Sequence, residues 1–261
     1  MERFIAAFDL HRGYEREEGK KRPLHDDRAW QAVLAFASDF KPHHFVLGGD
    51  VLDCGAISHH NARKPGKTEG LKLLHDVEET RREVILPIES VVIRPHRGRP
   101  TLRYHIGNHE DWLQDLVDTD PALEGLVNVE RLLGLDAKWD VVDQGRVSQL
   151  GKLAVMHGDT LRNTDNVAKA AVSNYETNII FGHFHTSQTY TKTSALDAEL
   201  PKTGTAVGCL CTKDPGYNER SPNRWAQGFA YGYLFSNGDF TLYTPVVING
   251  RFAAEGKEYR G

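Results

Sequence analysis

The sequence predicts an α/β fold whose functional site lies at the carboxyl ends of its strands, and three observations carry that prediction. Short β-like runs rich in Ile, Val, Leu, Phe and Tyr recur five times. Each run ends abruptly in Asp, His or Asn, and loops at strand carboxyl ends are the usual place for an α/β site. Between the runs lie apolar stripes at helical spacing, which would cover the sheet faces.

Taken in order, residues 3–8 run into Asp9-Leu10-His11, and Phe45-Val46-Leu47 runs into Gly48-Gly49-Asp50. Leu102, Tyr104 and Ile106 alternate before Gly107-Asn108-His109-Glu110, Leu153 to Met156 leads to His157-Gly158-Asp159, and Ile179-Ile180-Phe181 leads to Gly182-His183-Phe184-His185. The clearest helix covers residues 27–40, with Asp27 as cap and Trp30, Val33, Leu34, Ala37 and Phe40 as its apolar stripe. A longer pattern from Glu69 to Ile93 places Leu71, Leu74, Val77, Ile85, Ile88 and Val92 near one side, and Pro87 should kink or divide it. Residues 56–100 are therefore a candidate helical excursion, or a contact of a homodimer. Further helices are expected at 111–118, 121–133 and 166–176. The stretch after residue 186 should turn to antiparallel strands, with hairpin signals at Asn237-Gly238 and Asn249-Gly250.

Without an internal repeat, a low-complexity tract or a linker, a single domain over 1–261 is the simplest organisation. No apolar run is long enough to span a bilayer, so no membrane partner is expected. Met1-Glu2-Arg3 leads straight into a strand without the pattern of a secretory leader, and the expected location is cytoplasmic. Cys54, Cys209 and Cys211 form no CxxC pair and read as free thiols. A net charge of -4 excludes a global basic field. Arg63, Lys64 and Lys67, with Arg94, Arg97 and Arg99, leave nucleic acid as a candidate partner through local contacts, although aromatic residues near them are sparse.

The donors at the five strand ends are hard or borderline and include no thiolate, which suits Mn(II), Fe or Zn. Seven donors are too many for one tetrahedral ion and suit two ions sharing a bridging carboxylate, the arrangement that clamps a phosphoryl group. Asp9-x-His11, Gly49-Asp50-x-x-Asp53, Gly107-Asn108-His109-Glu110, His157 and Gly182-His183-x-His185 resemble, in order and spacing, the five motifs of calcineurin-like metallophosphoesterases.

That resemblance implies a four-layer αββα sandwich of two mixed sheets flanked by helices. It implies two divalent ions, Mn(II) first, with Fe, Zn or Ni as alternatives. Asp9, His11, Asp50 and His185 would surround one ion, and Asp50, Asn108, His157 and His183 the other. By the same resemblance His109 would serve the leaving group or a phosphate oxygen, with Asp53 orienting it, and Asn108 would also touch substrate phosphate. The implied reaction is hydrolysis of a phosphate ester by a metal-bridging hydroxide. Cys54 stands where protein Ser/Thr phosphatases carry an arginine. The likeness therefore leans to the bacterial and bacteriophage branch, which includes nucleases of the SbcD kind and diverse phosphodiesterases. A phosphodiester in a nucleotide or nucleic acid is the favoured substrate. The alternatives are a phosphomonoesterase acting on a small substrate and a non-catalytic metal-binding scaffold. Outside the site set, Glu110 and Asp111 read as helix N-terminal charges, His59 and His60 as an exposed loop, and Asp159 as a partner of His157 or the closer of its own turn.

Overall fold

The computed structural model describes residues 1–61, 65–93, 95, 100–193, 201–216 and 223–261. The expected αββα sandwich is the one observed. The first half of the chain contains β1 (Glu2–Ala7), β2 (Tyr14–Glu17), β3 (Lys20–Pro23), α1 (Asp27–Phe40), β4 (His44–Leu47), α2 (Leu73–Thr80), α3 (Leu86–Ile93), β5 (Thr101–His105) and α4 (Asn108–Thr119). It continues through α5 (Val129–Leu133), β6 (Trp139–Val142), β7 (Ser148–Leu150), β8 (Leu153–Met156), α6 (Val167–Tyr175) and β9 (Asn178–Phe181). Then come β10 (Ser187–Lys192), β11 (Lys202–Val207), β12 (Ala230–Leu234), β13 (Phe240–Tyr243), β14 (Arg251–Ala254) and β15 (Lys257–Arg260). One sheet runs β13-β12-β1-β4-β5-β6 and the other β10-β11-β9-β8-β7. Strands β1, β4, β5 and β6 are parallel, as are β8, β9 and β11, while β12 is antiparallel to β1, β13 to β12, β7 to β8 and β10 to β11.

Strand β1 shows how the layers arise. Its period-2 alternation sends Phe4 and Ala6 toward the second sheet, where they meet Leu153, Val155, Ile180 and Val207. Ile5 and Ala7 face the other way, into a core shared with Trp30, Val33 and Phe36 of α1 and Ile85, Ile88 and Val92 of the following helices. Helix α6 covers the outer face of the second sheet through Val167 and Ala171 against Met156, Ile179 and Phe181. Each such fully buried large side chain contributes roughly 1.5–3 kcal/mol.

Several local expectations are corrected. The cap of α1 is Asp26, whose side chain accepts from Ala29 N–H, while Asp27 pairs with the buried Arg12. Within the 69–93 pattern Val77, Val84, Ile85, Ile88 and Val92 are core residues, whereas Leu74 is exposed. Pro87 does divide it, through a π-turn over Arg81–Ile85 in which Leu86 N–H reaches back to Arg81 O. Because Pro87 has no N–H, the carbonyl four residues earlier, Glu83 O, loses its helical donor, and Trp30 Nε1 supplies one at 2.7 Å. The expected 121–133 helix splits into a short turn, Pro121–Leu123, and α5, because Gly125 adopts φ 70° and Asn128 caps a new start.

The polar 12–26 stretch is a hairpin, β2–β3, closed by Glu18-Gly19. Asn237-Gly238 does close β12–β13, but Asn249-Gly250 closes only the single bridge Ile248–Arg251, and the β14–β15 hairpin turns at Glu255-Gly256. Arg63, Lys64, Arg94, Arg97 and Arg99 lie outside the described residues. Among the described residues, no helix is long and apolar enough to cross a membrane.

Trp30→Phe should lower unfolding free energy by about 1–3 kcal/mol, because it leaves the half-buried Glu83 carbonyl without its donor. Urea denaturation reads the effect, and a change below about 0.5 kcal/mol would show that solvent already serves that carbonyl.

Candidate metal centre

Strands β1, β4 and β5 are neighbours in one sheet and β8 and β9 in the other, so their carboxyl ends converge on one seam of the sandwich. There Asp9, His11, Asp50, Asp53, His157 and His185 are all buried, and Asn108, His109 and His183 partly so. Ligand atoms of Asp9, His11 and Asp50 lie within 4.8 Å of one another, as do those of Asp50, His157 and His183. Asp50 belongs to both groups.

The histidine tautomers follow from what their far nitrogens do. His11 Nδ1 lies 2.9 Å from Asp53 Oδ1, His157 Nδ1 lies 3.0 Å from Gly48 O, and His185 Nδ1 lies 3.8 Å from Cys211 Sγ. A proton spent on each of those bonds turns the Nε2 lone pair toward the seam, the arrangement that orients metal-binding imidazoles. His11 Nε2 and His185 Nε2 then stand 3.2 Å apart, and His157 Nε2 is 3.1 Å from Asn108 Oδ1 and 3.3 Å from Asp50 Oδ2. Two buried atoms facing the cluster, Asp9 Oδ1 and His183 Nδ1, have no hydrogen-bond partner. Orphaned buried acceptors among imidazoles and carboxylates fit divalent cations of the kind this donor set suits.

Charge and backbone conformation are both perturbed here. Burial pushes the Asp50 carboxyl up, but His157, His109 and His11 together hold it well below the usual range. Burial disfavours charge on His157, yet Asp50 and then Asp9 raise it to about 10, and Asp50 and Asp53 likewise raise His109 to about 10. Asp9, His11, Asp50, His183 and His185 all adopt φ between 47° and 66°. Left-handed backbone at non-glycine residues costs of order 1–3 kcal/mol each and gathers at functional sites. Glycines let the strands approach: a Cβ at Gly49, itself at φ 96°, would overlap His157, and one at Gly182 would overlap Asp9.

Asp53 serves two histidines. Its Oδ1 takes His11 at 2.9 Å and lies 3.3 Å from His109 Nδ1, while its backbone carbonyl holds His109 Nδ1 at 2.7 Å. Glu110 is more than a helix-end charge. It is buried and accepts from Asp50, Val51, Leu52 and Gly107 N–H and from the Tyr104 hydroxyl at 2.7–3.0 Å. Burial and then Asp50 raise its carboxyl. Cys54 faces the interior, and burial followed by Glu110 pushes its thiol well up. Asp159 Oδ2 accepts from Gln144 rather than from His157.

His59 and His60 are exposed, as expected, and both rings lie 5.8 Å from Trp112. Trp112 lies 4.3 Å from the His109 ring, and Trp225 lies 4.1 Å from that of His185. The site thus has aromatic walls that the basic clusters did not announce. Trp112 was readable, being three residues after His109 on one helix. Glu110 was readable only as a cap, and Trp225, Cys211 and the Gly48 carbonyl carried no signal.

No protein-family model matches this chain, and no curated protein matches it. Among solved structures, Vps29 of Chaetomium thermophilum is similar over 100% of this chain and 99% of its own, at 12% identity and a TM-score of 0.48. An archaeal phosphodiesterase is similar over 93% of this chain and 99% of its own, at 10% identity and a TM-score of 0.40.

Glu110→Gln places an amide N–H against backbone N–H donors and should cost at least about 2 kcal/mol by urea denaturation while weakening Mn(II) binding. Unchanged stability and metal affinity would remove Glu110 from its positioning role. His157, raised to about 10, carries a proton at neutral pH that coordination must displace. Mn(II) binding should therefore release protons and tighten as pH rises from 7 toward 9, by up to about tenfold per unit for each proton released. Calorimetry in buffers of different ionisation enthalpy measures that release, and buffer-independent heats would contradict it.

Proposed function

We propose that the protein is a dinuclear metal-dependent phosphoesterase of the calcineurin-like kind, acting on phosphodiesters of nucleotides or nucleic acids. The observation that carries this reading is the pair of ligand groups, buried or nearly so, that share Asp50 at the carboxyl ends of β1, β4, β8 and β9. Asp9, His11, Asp50 and His185 would hold one ion, and Asp50, Asn108, His157 and His183 the other, with Mn(II) the first choice for this donor set. Bound there, two cations would supply Lewis acidity toward phosphate oxygens and a lowered pKa for attacking water.

The chain's own residues do the rest. Asn108 Oδ1 lies 3.1 Å from His157 Nε2 on the ligand side, which leaves its NH2 to donate to a phosphate oxygen. His109 is anchored through Nδ1 on Asp53 O, so its Nε2 proton is the one available to a departing alkoxide. Asp53 sets the ring planes of His109 and His11 at once. Asp50 Oδ1 accepts from His109 N–H at 2.9 Å, which ties the proton donor to the shared carboxylate.

Metal-stripped protein reloaded with Mn(II) should turn over bis-p-nitrophenyl phosphate. A panel with p-nitrophenyl phosphate, cyclic nucleotides and single- or double-stranded DNA ranks the substrate classes. His109→Ala should lower kcat on alkyl leaving groups by about 10²–10⁴ and much less on p-nitrophenolate, which needs no proton. Metal binding without turnover of any member would establish the scaffold reading instead.

A further inference from the structure

A cavity of about 810 Å³ opens directly off His183, between the 161–167 segment and Asn223–Trp225. Its walls combine two aromatic rings, Phe184 and Trp225, with the amides of Asn163 and Gln188 and the guanidinium of Arg224. Gln188 is held in place, accepting from Val167 N–H and donating to Asp165 O. The Asn163 amide has no hydrogen-bond partner among the described residues, and Arg224 has only an exposed pairing with Asp165 at 3.4 Å, which binds it weakly. Planar rings beside the unpartnered Asn163 amide and the weakly paired Arg224 guanidinium suit a flat heterocycle with its own donors and acceptors. An acyl chain would find too many polar groups here.

The position of the cavity matters as much as its lining. The rings of His109, His11, His185 and Trp225 follow one another at separations of 4.5, 5.0 and 4.1 Å, so two intervening rings separate His109 from Trp225. His109 is not part of the cavity wall, which is built beside His183 and Trp225. A group that departs with the His109 proton leaves beside His109, and the cavity is left to a different substituent of phosphorus.

We propose that this cavity receives the non-leaving substituent of a phosphodiester, and that this substituent is a nucleoside whose base lies against Trp225. The proposal rests on the phosphoesterase reading and narrows it to a diesterase that retains a nucleoside monophosphate. Water's oxygen forms one bond to phosphorus, the bond to the leaving alcohol breaks, that alcohol takes the His109 proton, and the proton lost by water passes to solvent.

The test uses the Mn(II)-loaded full chain and equilibrium binding of three probes: thymidine monophosphate, ribose phosphate and inorganic phosphate. The nucleotide should bind about tenfold more tightly than the other two. Arg224→Ala combined with Asn163→Ala, both at exposed positions, should remove most of that preference. With p-nitrophenyl thymidine monophosphate the same variant should raise KM about tenfold with kcat unchanged. Equal affinity for nucleotide and ribose phosphate, or a variant that weakens all three probes alike, overturns the nucleoside assignment alone. Failure of the loaded protein to bind any of the three overturns the phosphoesterase reading together with it.

Discussion

The buried carboxylate of Glu110, which accepts five hydrogen bonds, clamps the turn after β4 against the first turn of α4. Most of the site's geometry descends from that clamp. The turn carries Asp50 and Asp53, α4 begins with Asn108 and His109, and both must be held in one register for Asp50 to accept from His109 N–H. Without Glu110, the backbone N–H groups of the buried residues 50–52 would lose their acceptors.

Interleaving of opposite charges makes the seam tolerable. Burial alone would disfavour ionised Asp50 and Asp53 and protonated His109 and His157. Paired at 3.3 Å, His109 with Asp53 and His157 with Asp50 each stabilise the ionised form of the other. His157 and His109 therefore keep protons well above the usual histidine range, while Asp50 and Asp53 lose theirs well below the carboxylate range. A metal ion could take the place of those protons without changing the sign of the local charge.

The sandwich supplies the rigidity on which this depends. Phe4, Phe8, Val155 and Ile180 pack the two sheets face to face, so the loops that end β1, β4 and β5 meet those that end β8 and β9 without a hinge between them. Five residues in left-handed backbone persist because the packed strands beneath them leave no alternative path. Around that centre, Trp112 packs beside His109 and Trp225 beside His185, which gives the site two aromatic walls.

By itself the sequence determined the five strands that lead to the site, the first helix, the strand ends and the residue types at each, since period-2 and period-3.6 patterns and Gly-Asp, Gly-Asn and Gly-His turns are local signals. It also foretold the break at Pro87, which removes a backbone donor wherever it stands. Only the tertiary structure decided which donor replaced it, because Trp30 lies far from Glu83 in the chain. The same holds for Glu110 as a clamp, for Asp53 as the partner of His11 as well as His109, and for the cavity beside Trp225. Each depends on contacts between strands and loops distant in sequence, and no local periodicity encodes those.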